Sequence, residues 1–317
     1  MKAIVLQSGT LSFTESYSIP SPAPDEALIK VEYAGICRTD MELLSGYMAF
    51  SGIPGHEFVG HVAECRDRKL LGRRVTGEIN LACGHCAMCI HGLFKHCPSR
   101  TTLGIDRKDG AFSEYLTLPV VNLHPVPTSV ASTAAVFTEP LAAAIQVMDD
   151  HHFIPAEPVL VIGDGKLGIL VALLLARTGF DVHLLGRHES KLNRVSAIDP
   201  SISCRQDLGT RRFQTVIEAS GTAAGFRTAI DAVHPRGTIV LKSTFAAVEN
   251  PPLFPVVVNE IRILGSRCGS FPPALRALER NLIDPRPLID GIFPLDEWQE
   301  AFQAAGEKHT IKILFEM

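Results

Sequence analysis

The sequence predicts an α/β protein in which a mostly β segment precedes a doubly wound parallel sheet. A short apolar run at residues 158–162 is followed directly by a glycine-rich turn and an apolar helical stretch. Strand-like and helix-like segments then alternate to residue 264, whereas the first 128 residues contain few helix signals. Alternation of this kind is typical of a parallel sheet covered by helices, and a helix-poor segment indicates a β domain.

The glycine-rich turn lies inside a predicted β–α–β unit. Strands are expected at residues 158–162 and 181–185, with a helix at 169–178 between them, and Gly163-x-Gly165-x-x-Gly168 connects the first strand to that helix. This context favours a dinucleotide-binding turn, with the pyrophosphate at the helix N-terminus, over glycines that only shape a loop. The candidate cofactor-binding residues here are Gly163, Gly165, Lys166, Leu167 and Gly168.

The end of the second strand bears on the choice between NAD and NADP. NAD-binding folds place an acid about 20 residues after the glycines, where it binds the ribose 2′-hydroxyl. This sequence has Gly186-Arg187-His188 there. Because Arg187 can pair with a 2′-phosphate, we expect NADP to be favoured over NAD. The alternative is that Arg187 is a solvated loop charge with Glu189 beside it.

Composition limits the class of protein. The chain has 317 residues, 46% of them hydrophobic and 20% charged, with a net charge of −4. These values suit a globular protein of about two domains and argue against a nucleic-acid partner. The N-terminal apolar run is too short for a signal peptide and the other apolar runs are interrupted, so we expect no membrane partner and a cytoplasmic location.

Four cysteines between residues 81 and 98 indicate a metal site. Their spacing is Cys83-x2-Cys86-x2-Cys89-x7-Cys97, which suits a closed tetrahedral structural zinc site. A loop of reduced thiols is the alternative, and an iron–sulfur cluster is disfavoured because the last cysteine does not follow the common spacings.

Three further features carry zinc-competent side chains. Cys37 precedes Arg38-Thr39-Asp40, and His56-Glu57 follows Gly55. Glu139 stands before Pro140 in an otherwise apolar helical stretch, where Pro140 should interrupt the helix. A buried carboxylate needs a partner, and a metal is one; a local cap or an exposed position is the alternative.

These motifs, in this order, resemble the medium-chain, zinc-containing alcohol dehydrogenases over nearly the whole chain. The resemblance implies a GroES-like catalytic domain at residues 1–128 and 266–317, with a structural zinc lobe at 81–98. It implies a Rossmann NAD(P)-binding domain at 129–265. The Glu139-Pro140-Leu141 form is similar to the polyol, glucose and threonine dehydrogenase branch.

The resemblance also implies roles for individual residues. Cys37 and His56 would bind the catalytic zinc together with Glu139, with Glu57 as a carboxylate able to coordinate it. Thr39 would pass on the substrate proton, Asp40 would orient His56, and Arg38 would lie near the cofactor pyrophosphate. Gly186, Arg187, His188 and Ser220, the last from the Glu218–Gly221 motif, complete the expected cofactor-binding set.

We therefore expect a zinc-dependent oxidoreductase that transfers hydride between NADP, or NAD, and a secondary alcohol, polyol or amino alcohol. Its partner would be a small-molecule alcohol or carbonyl substrate, and the chain would form a homodimer or homotetramer. The alternatives are a zinc-free NADPH-dependent quinone or enoyl reductase, and a non-catalytic NADP-binding sensor or structural protein.

Overall fold

The computed structural model describes residues 1–243 and 253–317, which form two compact units. The β unit comprises Met1–Glu139, Ala274–Glu279 and Asp284–Met317, and the α/β unit comprises Pro140–Pro273 and Arg280–Ile283. The domain boundaries expected from the sequence, 128/129 and 265/266, stay a prediction. The two compact units change over at 139/140 and 273/274 instead.

Strands account for most of the regular structure. In chain order they are β1 (Ala3–Gln7), β2 (Thr10–Thr14), β3 (Glu26–Gly35), β4 (Glu57–Cys65), β5 (Arg74–Gly77), β6 (Asn80–Leu81), β7 (Thr101–Leu103), β8 (Arg107–Lys108), β9 (Tyr115–Pro119), β10 (Leu123–Pro125), β11 (Val159–Ile162), β12 (Val182–Leu185), β13 (Ser203–Arg205), β14 (Phe213–Glu218), β15 (Val233–Leu241), β16 (Arg262–Gly265), β17 (Ile289–Pro294) and β18 (Lys312–Glu316).

Helices connect and cover these strands. In chain order they are α1 (Arg38–Leu44), α2 (Ala87–Ile90), α3 (Ser132–Ala135), α4 (Thr138–Asp150), α5 (Lys166–Arg177), α6 (Glu189–Ile198), α7 (Ala223–Ala232), α8 (Leu253–Val258), α9 (Phe271–Glu279) and α10 (Trp298–Gly306). None of the helices in the described residues is long and apolar enough to span a membrane.

The β unit is built on a mainly antiparallel sheet. Its strand order in the described residues is β10-β5-β4-β3-β18-β17, and β9 also pairs with β3. Among the described strands of this sheet, only β17 and β18 run parallel to each other. Glu57 of β4 pairs with Gly35 of β3, and Gly35 also pairs with Leu314 of β18. Three distant stretches of sequence therefore meet at one end of these neighbouring strands.

The α/β unit contains the predicted doubly wound sheet. Its six described strands are parallel and lie in the order β13-β12-β11-β14-β15-β16. This is the strand order of a dinucleotide-binding fold, in which ligands bind outside the carboxyl ends of the strands at the point where the order reverses. That point lies between β11 and β14, so the fold class predicted from the sequence is confirmed.

Apolar side chains fill each unit separately. In the β unit, Phe112 makes edge contacts with Phe302 and Phe315, with ring centroids 5.9 and 5.1 Å apart. In the α/β unit, Leu160, Val216 and Ile239 from three neighbouring strands join one buried cluster with Phe226 and Ile230 of α7. Contacts of this density hold the strand ends, and therefore the candidate site residues, in fixed positions.

Pro140 interrupts the apolar stretch as expected. The stretch forms two helices, α3 and α4, and Pro140 lies in the first turn of α4. A proline is tolerated there because the first backbone N–H groups of a helix have no partner within it. Glu139 precedes it in the same turn and is half-buried.

Candidate functional site

Three donor side chains meet in the β unit. Cys37, His56 and Glu57 each offer one ligand atom, and these atoms all lie within 4.8 Å of one another. His56 is 3% exposed and Glu57 is fully buried. One sulfur, one imidazole nitrogen and one carboxylate oxygen are a donor set that suits zinc. The carboxylate of Glu139 is not among the atoms of this group.

Local structure explains why Cys37 and His56 point to the same place. Cys37 is the N-cap of α1, and its backbone N–H donates to Asp40 Oδ2 at 2.8 Å. Asp40 Oδ1 in turn lies 3.4 Å from His56 Nδ1. The Asp40 carboxylate therefore fixes the start of the helix and the face of the imidazole together, as a carboxylate behind a metal-binding histidine does.

Gly55 controls the entry of the chain into β4. It has φ of 95°, and a Cβ built on it would lie 2.5 Å from the Phe112 ring. Only glycine satisfies both the left-handed backbone and this close approach. His56 and Glu57 follow directly, so the tight turn at Gly55 places both side chains.

Charges around His56 alter its proton affinity. Burial on its own lowers the pKa of His56, but the negative charge of Asp40 at 3.4 Å, followed by Cys37, outweighs burial and raises the pKa well above its ordinary value. The pocket therefore favours a cation at this position. A divalent metal ion satisfies the same electrostatic demand while the histidine stays neutral.

Lys312 is a member of this site that the sequence did not suggest. Its ammonium, 1% exposed as a residue, donates to Glu57 Oε2 and to the backbone oxygen of Ile36, the latter at 2.9 Å. Gly35 leaves the space for it, because a Cβ there would overlap the lysine side chain. The available signal was a single charge inside the apolar run 311–315.

The four cysteines of the 81–98 segment come together with the geometry of a zinc site. Sγ–Sγ distances are 3.5 Å for Cys86–Cys89, 3.6 Å for Cys83–Cys97, 3.8 Å for Cys86–Cys97 and 4.0 Å for Cys83–Cys89. Four sulfurs at about 2.3 Å from a tetrahedral zinc ion are about 3.8 Å apart, so the arrangement fits this metal.

The thiols of this cluster differ in acidity. Backbone N–H groups of His85 and Cys86 lower the pKa of Cys83 to about 6. Burial, with hydrogen bonding to the neighbouring thiols, raises the pKa of Cys89 to about 12. Four thiolates cannot coexist here without a compensating cation, and a metal ion supplies that charge.

The glycine-rich turn of the α/β unit has the two features that nucleotide binding requires. A Cβ at Gly168 would lie 2.0 Å from the Gly163 backbone oxygen, whereas a Cβ at Gly165 would meet nothing within 4 Å. Gly163 and Gly168 are thus needed for close packing, and Gly165 faces open space. Helix α5 begins at Lys166, so its N-terminus adjoins that space and suits a pyrophosphate.

The remaining predicted cofactor residues lie at strand ends of the same unit. Gly186, Arg187 and His188 follow β12, and Ser220 follows β14. The backbone N–H and the hydroxyl of Ser220 both donate to the buried Glu218. Asp164 was not predicted, although its carboxylate binds the 187–188 turn. Arg38, in the β unit, is exposed and lies 3.8 Å from Glu42.

A nucleotide-binding parallel sheet together with a Cys–His–Glu donor set that suits zinc is typical of zinc-containing NAD(P)-dependent oxidoreductases. Comparison with known proteins agrees with this class. Residues 23–128 match the alcohol dehydrogenase GroES-like domain. The chain is 30% identical to L-threonine 3-dehydrogenase of Xanthomonas axonopodis pv. citri over 99% of both chains, and 28% identical to sorbitol dehydrogenase of Halalkalibacterium halodurans over 99% of this chain and 98% of the other.

Two solved structures are similar to this chain over its whole length. A short chain alcohol dehydrogenase (RspB) of Escherichia coli CFT073, complexed with NADH, superposes with a TM-score of 0.91 at 26% identity. A proposed zinc-binding dehydrogenase of Sinorhizobium meliloti bound to NADP has a TM-score of 0.90 at 28% identity, and both comparisons cover 100% of this chain and 99% of the other. The chain belongs to the zinc-containing medium-chain alcohol dehydrogenase family. It is an NAD(P)-dependent oxidoreductase that acts on alcohols.

Proposed function

We propose that the protein is a zinc- and NADP-dependent dehydrogenase of a secondary alcohol, and specifically of a polyol or an amino alcohol. The observation that supports this most is the convergence of the donor atoms of the half-buried Cys37 and the buried His56 and Glu57 within 4.8 Å of one another. Relatives that act on sorbitol and threonine support the substrate class, because both substrates carry a secondary hydroxyl beside another polar group.

The catalytic zinc would be held by Cys37 and by His56 through Nε2, since Nδ1 faces Asp40. Lys312 neutralises Glu57 and therefore weakens it as a permanent ligand. Glu57 then serves as a nearby carboxylate that can coordinate when the ligand set rearranges. Glu139, in the first turn of α4, supplies the third permanent ligand. A metal ion bound there supplies a Lewis acid that lowers the pKa of an alcohol oxygen.

Side chains of the β unit would transfer the proton of the substrate hydroxyl. Thr39 lies half-buried in the first turn of α1, with Oγ1 4.0 Å from Cys37 Sγ. Its hydroxyl can accept a proton from a substrate hydroxyl next to Cys37 and donate its own proton outward. Asp40 would keep His56 in one orientation, and the role of Arg38 near the cofactor pyrophosphate stays an expectation from the sequence.

The α/β unit would bind NADP through three turns. The Gly163–Gly168 turn and the start of α5 would bind the pyrophosphate, Ser220 borders the carboxyl end of β14, and Gly186–His188 would bind the adenosine ribose. A nicotinamide cofactor held by these turns would supply the hydride acceptor. NADP is favoured because Arg187, exposed at the end of β12, offers a planar donor for a 2′-phosphate and no acid stands at position 186.

The second zinc site would be structural. All four ligands in the 81–98 lobe are cysteines, so the site is closed and has no position for a substrate. Met88, Ile90, Leu93 and Phe94 of this segment are exposed, whereas Cys89 and Cys97 are buried, so zinc–thiolate bonds would stabilise a fold that has little apolar core of its own.

We also propose that two or four copies assemble. Strand β16 is an edge of the six described strands, and α8 before it exposes Leu253, Phe254, Val257 and Val258. An edge strand with apolar neighbours is suited to pairing with the same strand of a second copy. Light scattering after gel filtration should give a mass two or four times that of the chain; the mass of a single chain would contradict this.

The experiment is a steady-state assay of zinc-loaded protein with a panel of secondary alcohols, polyols and amino alcohols. We expect reduction of NADP with a lower KM than that for NAD, and loss of turnover in Cys37→Ser. Reduction of quinones or enoyl substrates that survives Cys37→Ser would instead indicate the zinc-free reductase. Cofactor binding without turnover of any substrate would indicate the sensor or structural role.

A further inference from the structure

Asp164, the second residue of the glycine-rich turn, is bound to the turn that follows the neighbouring strand. Its Oδ2 atom accepts hydrogen bonds from the backbone N–H groups of Arg187 and His188, both at 2.7 Å. The His188 Nδ1 atom lies 3.0 Å from Oδ2 and 3.1 Å from Oδ1. The Asp164 side chain is only 11% exposed. One carboxylate thus connects the turn after β11 with the turn after β12.

The side chain of Asp164 occupies the space that a side chain at position 186 would need. A Cβ built on Gly186 would lie 2.6 Å from Asp164 Cβ and 2.7 Å from Asp164 Oδ2. The acid that NAD-binding folds carry at this position therefore has no room here. The space holds a carboxylate that comes from a different turn and that is already committed to three donors.

The donors that Asp164 binds determine what the turn offers to a ligand. Asp164 uses the two backbone N–H groups and Nδ1 of His188, which leaves the His188 Nε2 edge as the outward face of a ring that is 34% exposed. The Arg187 side chain is exposed beside it. The exposed guanidinium of Arg187 can donate to a dianionic phosphate, and His188 adds an Nε2–H donor when its ring carries both protons.

We propose that Asp164 is a positioning residue for cofactor choice: it fixes the Gly186–His188 turn so that Arg187 and His188 bind the 2′-phosphate of NADP. The inference rests on the proposed use of NADP and adds to it the residue that shapes the phosphate site. Asp164 acts through the turn and does not contact the cofactor. Its three hydrogen bonds direct the carboxylate oxygens towards the backbone and ring of the turn, and the exposed Arg187 guanidinium supplies the attraction for phosphate.

The alternative role for Asp164 is direct contact with the cofactor ribose. If the Asp164 carboxylate acted directly, it would accept a hydrogen bond from the ribose 2′-hydroxyl and repel a 2′-phosphate. The protein would then prefer NAD, and removing the Asp164 charge would improve phosphate binding. The two possibilities differ in the sign of one measurable change.

The experiment is calorimetric titration of the full chain with adenosine 2′,5′-bisphosphate and, separately, with adenosine 5′-monophosphate. These ligands differ only in the 2′-phosphate, and neither needs a loaded metal site or turnover. We expect wild type to bind the bisphosphate more tightly. Asp164→Asn should weaken bisphosphate binding roughly tenfold, which corresponds to one charge-assisted hydrogen bond, and change monophosphate binding less than about twofold.

Two further variants make the result specific. Asp181→Asn removes the same charge from an exposed side chain just before β12, at the other end of the strand, and should change neither affinity. His188→Gln should reproduce the selective loss, and it carries the test if Asp164→Asn does not fold. Because Asp164 acts through His188, the losses in the double variant should fall clearly short of additive.

Three results would overturn the inference. Equal loss for both ligands in Asp164→Asn would reduce Asp164 to a support of the glycine-rich turn. Tighter bisphosphate binding in that variant would mean that the carboxylate opposes the phosphate. Selective bisphosphate binding by wild type with no change in Asp164→Asn would remove the inference and leave the proposed function intact, whereas binding of neither ligand by wild type would overturn the proposed cofactor use itself.

Discussion

Lys312 and Glu57 form a fully buried ion pair, although they are 255 positions apart in the sequence. The pair joins the last strand of the β unit, β18, to the first residue of β4, next to the candidate metal ligands. A buried charge that loses its partner is costly, commonly by about 3–5 kcal/mol. The pair is therefore a structural requirement of the site, whatever it does for the metal.

Lys312→Met removes this charge and keeps most of the side-chain volume. We expect the free energy of unfolding to fall by about 3–5 kcal/mol, measured by urea denaturation of the metal-free protein, and Lys312→Met/Glu57→Gln to recover most of the loss. Lys2→Met is a matched control, because Lys2 pairs with Asp296 at the surface, where solvent screens the charges, and its loss should leave the free energy of unfolding nearly unchanged. A double variant no more stable than Lys312→Met would show that the pair is not what is lost.

The proton role of Thr39 predicts a defined pair of variants. Thr39→Val keeps the shape of the side chain and removes its hydroxyl, so kcat should fall about 10²- to 10⁴-fold, the usual range for a proton-transfer group. Thr39→Ser restores a hydroxyl and should retain most of the activity. Equal kcat values for the valine and serine variants, at unchanged zinc content, would rule out the relay.

Gly165 and Gly168 predict opposite effects of the same substitution. Gly165→Ala adds a methyl group to open space at a φ of −79°, so stability should hold while the cofactor Kd rises. Gly168→Ala forces the methyl group against the Gly163 backbone and should lower the unfolding temperature. Thermal unfolding and cofactor titration of both variants distinguish these effects; unchanged cofactor affinity in Gly165→Ala would contradict the assigned pyrophosphate site.

Asp164 predicts a pH dependence of stability. Burial favours the neutral carboxyl, but the hydrogen bonds and charge of His188, with the backbone N–H of Arg187, outweigh burial and lower the pKa of Asp164. Because the folded-state pKa is the lower one, the stabilisation is complete above the ordinary aspartate pKa of about 3.9 and is lost as pH falls through the folded-state value. The stability difference between wild type and Asp164→Asn should therefore be constant near neutrality and shrink below about pH 4. A difference that grows on acidification would have the wrong sign.

Local patterns made the α/β unit predictable from the sequence. The glycine motif, the apolar strands and the helices between them are each set by neighbouring residues, and the strand order then follows from the general rules for such sheets. Strand β17 was missed because Ile289–Pro294 contains a glycine and ends in a proline, and it pairs in parallel with β18 only in the folded chain.

In the candidate sites too, the sequence predicted residues that belong to local motifs and missed those that depend on distant contacts. Cys37, His56, Glu57 and the four-cysteine cluster carry recognisable chemistry at recognisable spacing, and the structure brings both sets together. Lys312 and Asp164 belong to no motif, since each gains its role from a contact with a distant segment. The assignment of Glu139 stays a prediction, because its carboxylate lies outside the group of converging donor atoms.

The measurement that tests the account most directly is zinc per chain in wild type, Cys37→Ser and Cys97→Ser, by elemental analysis after mild purification, with the alcohol assay on each sample. We predict about two zinc ions in wild type and about one in Cys37→Ser, which should be folded and inactive. Cys97→Ser should lose the other ion and unfold more easily. Two zinc ions and full activity in Cys37→Ser, or wild type that stays inactive and binds only one after zinc is added, would contradict a catalytic zinc at Cys37 and His56.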